Sequence, residues 1–416
     1  MATLTIDDIK ATIEVIFKQR VANLIAVGTK GRVLFCLKNT KVAFLYSHVV
    51  NTNVTVYTKS PLAVDVVVYS DSDCETEVGT IDGYTAGTSY TIGSNTYTIT
   101  TENTIVTHGF RKRVFGSAVF SLEDDEASLE KQIKQIFNGG AVEVTVLEYS
   151  RTLASVVEQI NTLNWNWLFT TEADEQTTVA SYCKEKKRFG LVYNLQSDSM
   201  FVVSCDNPSA IMADDDGTVI TTVQILPILV GVIAGCPYDK SISYKVFTEL
   251  KSVELPSTIR FGQCTLYNEE EGVRVANPVN TLLTLGENIT EDMKSITIVE
   301  GMQRLKEDII YAFRTAYKGK YKNKYDNQCL FFSACNYYLE QLEELGVLDP
   351  EFDNHVDVNV AKQRQMWIAV GKDPDEINSM KDIEIKKLTF KNMVYPLVNA
   401  KFLDAIEGMS MEVDMY

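Results

Sequence analysis

Between residues 129 and 235 the apolar pattern switches repeatedly between two periods, and that switching restricts the chain to few folds. Leu129, Ile133, Ile136 and Phe137 recur at helical spacing, and Asn138-Gly139-Gly140 supplies a stop. Strands are expected at 142–149, 165–170, 191–195 and 201–205, with helices over 151–163 and 172–187 between them and an apolar helix over 221–235. Strands separated by helices are joined by crossovers, and crossovers make neighbours parallel. The expected fold class is α/β (α+β), multidomain, with a mixed, mostly parallel sheet flanked by helices. A chain of 416 residues also exceeds what one core sustains, roughly 250–300 residues, so two or three domains are expected.

Composition shifts sharply upstream. Residues 51–110 hold 14 Thr, 5 Tyr, 8 Val and 4 Ile, with Lys59 the one base against seven acids. Turn signals at Asp82-Gly83, Ala86-Gly87 and Gly93-Ser94-Asn95 recur through this stretch, which predicts an inserted all-β module of five to seven strands over 52–108. Ahead of it, strands at 23–27 and 32–37 flank Gly28-Thr29-Lys30-Gly31. That turn lacks the GxxxxGK[ST] spacing and precedes a strand, so a hairpin is expected rather than a phosphate loop.

Catalytic and metal chemistry find little support. His48, His108 and His355 lie far apart, no CxxC or HxxxH occurs, and no GxSxG is present, so no catalytic, cofactor-binding or metal residue is assigned. The eight cysteines are dispersed and read as reduced, buried small hydrophobes. Asp214-Asp215-Asp216-Gly217 lacks the later glutamate of a calcium loop and reads as a solvated turn. No secretory signal is expected in MATLTIDDIKATIEV. The apolar run 225–236, broken by Pro227, Gly231 and Gly235, is too short for a bilayer span of about 20 residues. A net charge of −17 disfavours a nucleic-acid partner, which calls for a basic face.

Against that acidic background stands Tyr317-Lys318-Gly319-Lys320-Tyr321-Lys322-Asn323-Lys324-Tyr325. Four lysines interleaved with three tyrosines admit three readings. The tyrosines could stack on bases, the segment could be a solvated interhelical loop, or Lys318, Lys320, Lys322 and Lys324 could dock an acidic protein surface. On either side, helical stripes are expected at Met302, Leu305, Ile309, Phe313 and Ala316, and at Phe331, Ala334, Cys335, Tyr338, Leu342 and Leu345.

Both ends of the chain alternate with period two. Ile13, Val15 and Phe17 do so in the N-terminal arm, as do Met409, Met411, Val413 and Met415 in the tail. Neither piece has a local turn and partner, so each is a one-faced strand in search of an edge.

The segments GVIAGCPYDKSISYKVF (231–247), EEGVRVANPVNTL (270–282), IVEGMQRLKEDIIYAF (298–313), YDNQCLFFSACNYYLEQLEELGVLD (325–349) and VNAKFLDAIEGMSMEV (398–413) keep one order across residues 220–416. In that order they resemble the contractile-tail sheath proteins of phages and phage-tail-like bacteriocins, in the branch from Gram-positive hosts. The resemblance implies a non-enzymatic subunit that polymerises with itself as stacked hexameric rings around a tail tube protein. It also implies contacts with baseplate and tail terminator proteins, a virion-tail location after assembly in the bacterial cytoplasm, no cofactor and no membrane insertion. Strand arms at 1–20 and 404–416 would add to a neighbour's sheet. The core would comprise 21–51 and 109–300, the surface insertion 52–108, and a tube-facing C-terminal domain 301–403. The competing classes are a cytoplasmic α/β enzyme and another tail component, a tube or baseplate protein.

Overall fold

The computed structural model describes residues 31–38, 44–58, 66–69, 77–81, 89–92, 95–101, 104–115, 126–213 and 217–407. The expected arms with Ile13, Val15, Phe17, Met409, Met411, Val413 and Met415, the strand at 23–27 and the acidic run 214–216 lie outside the described residues, as does Cys74. The described residues form two compact units, one holding 31–236 and 242–284, the other 237–241 and 285–407.

The first unit is built on one large sheet. Its strands are β1 (Arg32–Lys38), β2 (Phe44–Thr58), β3 (Val66–Tyr69), β4 (Glu77–Ile81), β5 (Ser89–Ile92), β6 (Asn95–Thr101), β7 (Thr104–Phe115), β8 (Glu143–Tyr149), β9 (Trp167–Thr170), β10 (Phe189–Tyr193) and β11 (Val202–Cys205). Their order is β11-β10-β9-β1-β8-β2-β7-β6-β5, with β3 on β2 and β4 on β3. The five strands from β11 to β8 run parallel, as the strand–helix rhythm requires.

β1 sits at the centre, with Val33 opposite both Val144 and Trp167. Both of its edges are therefore occupied by β8 and β9; the turn expected around Gly28–Gly31 lies largely outside the described residues. β2 then turns the sheet antiparallel, pairing β8 from Phe44–Tyr149 to Val50–Glu143. On its other side β2 pairs β7 from Tyr46–Phe115 to Tyr57–Thr104. The sheet thus passes positions 52 and 108 without a break.

Helices cover both faces of the parallel half. They are α1 (Glu126–Gly139), α2 (Val157–Thr162), α3 (Gln176–Lys186) and α4 (Thr222–Gly235). Leu34, Cys36, Leu147, Tyr149, Leu168 and Val192 alternate onto the face packed by Val156 just ahead of α2, Ile160 of α2, and Val179 and Tyr182 of α3. Phe35 and Phe169 point the other way and stack at 4.6 Å. α4 is buried from Ile225 through Ala234, so it is apolar all round rather than one-faced. It crosses α1 at glycines: a Cβ built on Gly235 would lie 2.5 Å from the Gly140 carbonyl carbon.

Small antiparallel sheets complete this unit. β12 (Ser209–Met212) lies between β13 (Val219–Thr221) and β14 (Leu250–Val253), and β15 (Leu266–Glu269) forms a hairpin with β16 (Gly272–Val275). The outer edge of β11 is covered: the Cys264 backbone pairs in parallel with that of Cys205, its N–H donating to the Ser204 carbonyl at 2.8 Å, and the Thr281 N–H donates to the Val202 carbonyl at 2.8 Å.

The second unit is mainly helical. α5 (Ile296–Ala312) continues into one wide π turn, Phe313–Tyr317, and is followed by α6 (Tyr325–Glu344). β17 (His355–Val358) leads to α7 (Val360–Ala369), α8 (Pro374–Ser379), α9 (Asp382–Lys387) and β18 (Pro396–Asn399), which returns antiparallel to β17. Side-chain caps mark the helix starts. Ser295 accepts from Ile298 N–H at 3.5 Å, Asn359 accepts from Lys362 N–H at 2.8 Å, and Asp373 accepts from Asp375 N–H just ahead of α8. Leu305, Ile309, Phe331, Phe332, Leu339 and Val356 share one core, so the two expected helical stripes pack together through their middles. The second ends short of its expected last member, since Leu345 at the end of α6 is 64% exposed. No helix among the described residues is long and apolar enough to cross a membrane.

Candidate functional site

The π turn at the end of α5 is where the lysine-rich segment begins. Lys318 N–H reaches back five residues to the Phe313 carbonyl at 2.7 Å, and Gly319 at φ 76° reverses the chain. Tyr317 does not face solvent. It is buried against Phe331, with ring centroids 5.1 Å apart, and Tyr321 stacks over it at 5.3 Å. Burial pushes the Tyr317 hydroxyl up to about 12. The tyrosines therefore anchor the segment, which removes the reading in which all three stack on bases.

The lysines point outward: Lys318, Lys320, Lys322 and Lys324 are all exposed. Their backbone is stapled down by Asn323, whose Nδ2 donates to the carbonyls of Phe390 (3.3 Å), Lys391 (2.9 Å) and Met393 (3.1 Å). Its Oδ1 accepts from Gln328 Nε2 at 2.7 Å, and its carbonyl accepts from Thr389 Oγ1 at 3.2 Å. Asn327 holds the Lys322 carbonyl at 2.7 Å, and Lys320 Nζ folds back onto the Thr315 carbonyl at 2.6 Å. Pinned at this many points, the segment presents a fixed array of positive charge. Asn323 was not legible as a staple, because its carbonyl partners lie some 70 residues downstream in an irregular turn.

A buried charge network holds α5 to α6 beneath this surface. Asp308 accepts from Arg304 one turn back and from the Tyr338 hydroxyl at 2.7 Å. Desolvation pushes the Asp308 carboxyl up, and Arg304 opposes that shift. The Arg304 guanidinium lies 5.9 Å from the Tyr238 ring centre.

The strand pair β17–β18 has two unlike edges. On β17, Val356 N–H is capped by Asn336 Oδ1 at 2.6 Å, and Val358 N–H by Asp357 Oδ1 at 2.6 Å. On β18, Pro396, Leu397 and Val398 are exposed, and no strand among the described residues lies beyond it. Such an edge is a template for another chain.

Downstream, the backbone stays anchored for several residues. Lys401 N–H donates to Asn354 Oδ1 at 2.9 Å, Leu348 and Phe402 form a bridge, and Ser295 Oγ donates to Asp404 Oδ1 at 3.0 Å. Phe402 packs against Gly301, where a Cβ would come within 2.8 Å of the ring. Two residues beyond Asp404, Ile406 is 96% exposed.

In the parallel sheet, the strand C-termini are where α/β enzymes bind ligands. Here Gln176 crosses that edge. Its Nε2 donates to the Thr170 carbonyl at 3.0 Å, and its Oε1 accepts from Tyr193 N–H at 3.2 Å. Glu175 alongside accepts from Leu153 N–H at 2.8 Å. The polar groups there hold the sheet to its own loops. Of the cysteines, Cys36, Cys183, Cys205, Cys236, Cys264 and Cys335 are buried, and desolvation pushes Cys205 and Cys335 up to about 12, which leaves them protonated and inert.

An open strand edge and a fixed basic surface are attributes that suit an assembly subunit. Residues 289–415 match the phage tail sheath C-terminal domain. Over 326 residues the chain is 26% identical to the tail sheath protein of Clostridium phage phiCD119 (strain Clostridium difficile/United States/Govind/2006), an alignment spanning 70% of this chain and 88% of that one. The chain is thus homologous to tail sheath proteins and carries their C-terminal domain. Among solved structures, similarity extends to the sheath tail protein Lin1278 of Listeria innocua, with TM-score 0.48, 12% identity, and coverage of 94% of this chain and 100% of that one. It extends also to the PVC sheath complex of an extracellular contractile injection system in its contracted state, with TM-score 0.48, 13% identity, and coverage of 69% and 80%.

Proposed function

We propose that this chain is the repeating, non-catalytic subunit of a contractile sheath, polymerising around a tail tube and shortening to drive that tube through a bacterial envelope. The observation that carries the reading is the match of residues 289–415 to the phage tail sheath C-terminal domain, in a unit whose β18 edge has no strand beyond it among the described residues. The C-terminal arm would be the donor strand and that edge an acceptor. Strand addition binds through main-chain hydrogen bonds and selects through alternating side chains, which Met409, Met411, Val413 and Met415 supply. Because donor and acceptor are different surfaces, the contact is heterologous and propagates into stacked rings or a helix instead of closing as a dimer.

In this reading Ile13, Val15 and Phe17 form the N-terminal arm, and Lys318, Lys320, Lys322 and Lys324 face acidic residues of the tube. The extended sheath persists behind a kinetic barrier, and the arms stay paired while the bodies move. Baseplate and terminator proteins bound the polymer at its ends. The subunit is made and assembled in the host cytoplasm and resides in the tail of the finished particle. Deleting residues 409–416 is expected to abolish tubular sheaths in negative-stain micrographs while leaving folded monomer. Normal sheaths from that truncation would overturn the arm assignment.

A further inference from the structure

We propose that the loop 255–262, which joins β14 to β15, is a second assembly contact covered by another copy of this chain. The proposal rests on the sheath reading but concerns a surface on the other unit from the tail and β18. Phe261 is 91% exposed, Ile259 64% and Leu255 50%, and Leu283 beside them is 39% exposed. A single exposed aliphatic residue is ordinary; a cluster crowned by a bare phenylalanine ring marks an interaction surface.

The loop is not merely frayed. Arg260 donates from its guanidinium to Asn194 Oδ1 at the end of β10, and Gln196 Nε2 donates to the Phe261 carbonyl at 2.5 Å. Gly262 takes φ 73° and packs so closely that a Cβ there would lie 3.3 Å from Leu283 Cδ2 and from the Thr281 Cα. The backbone on both sides of Phe261 is therefore fixed, and the ring is presented to solvent by a rigid mount. Pre-organisation of this kind lowers the ordering cost of a contact.

Two arguments point to a second copy as the occupant. Four partly exposed side chains offer a few hundred Å² at most, well short of the roughly 1,000 Å² of a free-standing specific interface. Such a patch suits a partner already tethered elsewhere, as strand-exchanging subunits are. The loop Leu255-Pro256-Ser257-Thr258-Ile259-Arg260-Phe261-Gly262 also contains one base and no acid, in a chain of net charge −17. An approaching acidic copy meets no like charge there, unlike over most of the surface.

A photo-crosslinking residue in place of Phe261 tests this, with negative-stain imaging of the same sample. Tubes together with a ladder of crosslinked multimers on irradiation are expected. A ladder without tubes would uphold the loop contact and sink the sheath reading. Tubes without a ladder would overturn the loop contact and leave the sheath reading standing, and absence of both would overturn the loop contact. Independently, Phe261→Ser with Ile259→Ser should raise the critical concentration for assembly by about tenfold or more with an unchanged monomer melting curve. An unchanged critical concentration would also overturn the proposal.

Discussion

Gly139 at the end of α1 meets Gly231 in the middle of α4 so closely that a Cβ on Gly139 would lie 2.3 Å from the Gly231 carbonyl carbon, while a Cβ on Gly231 would lie 2.3 Å from the Ile136 carbonyl oxygen of α1. No side-chain rotation relieves such an overlap. Gly231→Ala or Gly139→Ala must push the helices apart, and overpacking in a dense core costs about 1–3 kcal/mol or more. A denaturant midpoint shifted downward at unchanged m-value is the expected result for both.

Asp198 holds the segment before residue 285 by accepting from Leu283 N–H at 2.8 Å and Thr284 N–H at 2.9 Å. Those backbone donors hold its carboxyl at about 2, below the ordinary 3.8. The folded state thus binds this proton less tightly than the unfolded chain, so the stabilisation is complete above 3.8 and drains away as pH falls towards 2. Asp198→Asn should lower the melting midpoint by about 2–4 °C near neutrality. The gap to wild type should narrow on acidification to roughly pH 3.

Removing Arg304 would leave the Asp308 carboxylate in the core with only the Tyr338 hydroxyl beside it. Arg304→Ala is expected to cost about 3–5 kcal/mol, whereas replacing both partners with apolar residues, Arg304→Met with Asp308→Leu, should cost less than that single change. Urea unfolding of the two variants checks the order.

Reversing Lys318, Lys320, Lys322 and Lys324 to glutamate should leave the monomer melt nearly unchanged, since exposed charges contribute little to folding. Assembly on a tube template should fail. Asn323→Ala keeps every lysine but frees the loop from the 390–393 turn, so it should weaken templated assembly partially. If only total charge mattered, this variant would assemble like wild type. Wild-type assembly itself should slow as salt shortens the screening length to about 10 Å near 0.1 M.

These features differ in how far the chain's own order reveals them. The parallel half of the sheet was legible because its strands and helices each declare a period, as Leu129, Ile133 and Ile136 do. The central place of β1 was not, since Val33 meets Val144 and Trp167, more than 110 residues away, through pairing that leaves no local mark. The lysines were visible as charge, but the burial of Tyr317 depends on Phe331 in the next helix. Phe261 went unremarked, because one aromatic residue in a polar loop looks the same whether it is tucked in or bare. The ion network of Arg304, Asp308 and Tyr338 is half legible: an i,i+4 pair reads as a surface bridge, and only the fold shows it to be interior.

The continuity of β2 and β7 has an engineering meaning. Fifteen- and twelve-residue strands carry the sheet outward from β8 as a two-rail track. Distal material is therefore interchangeable cargo, provided both rails are cut at facing rungs. Val50 and Arg111 are such a rung, just where β2 parts from β8. A two-residue reverse turn there would give a shorter chain with the register of the inner sheet intact. Trimming one rail by a single residue more than the other would turn the remaining rungs inside out.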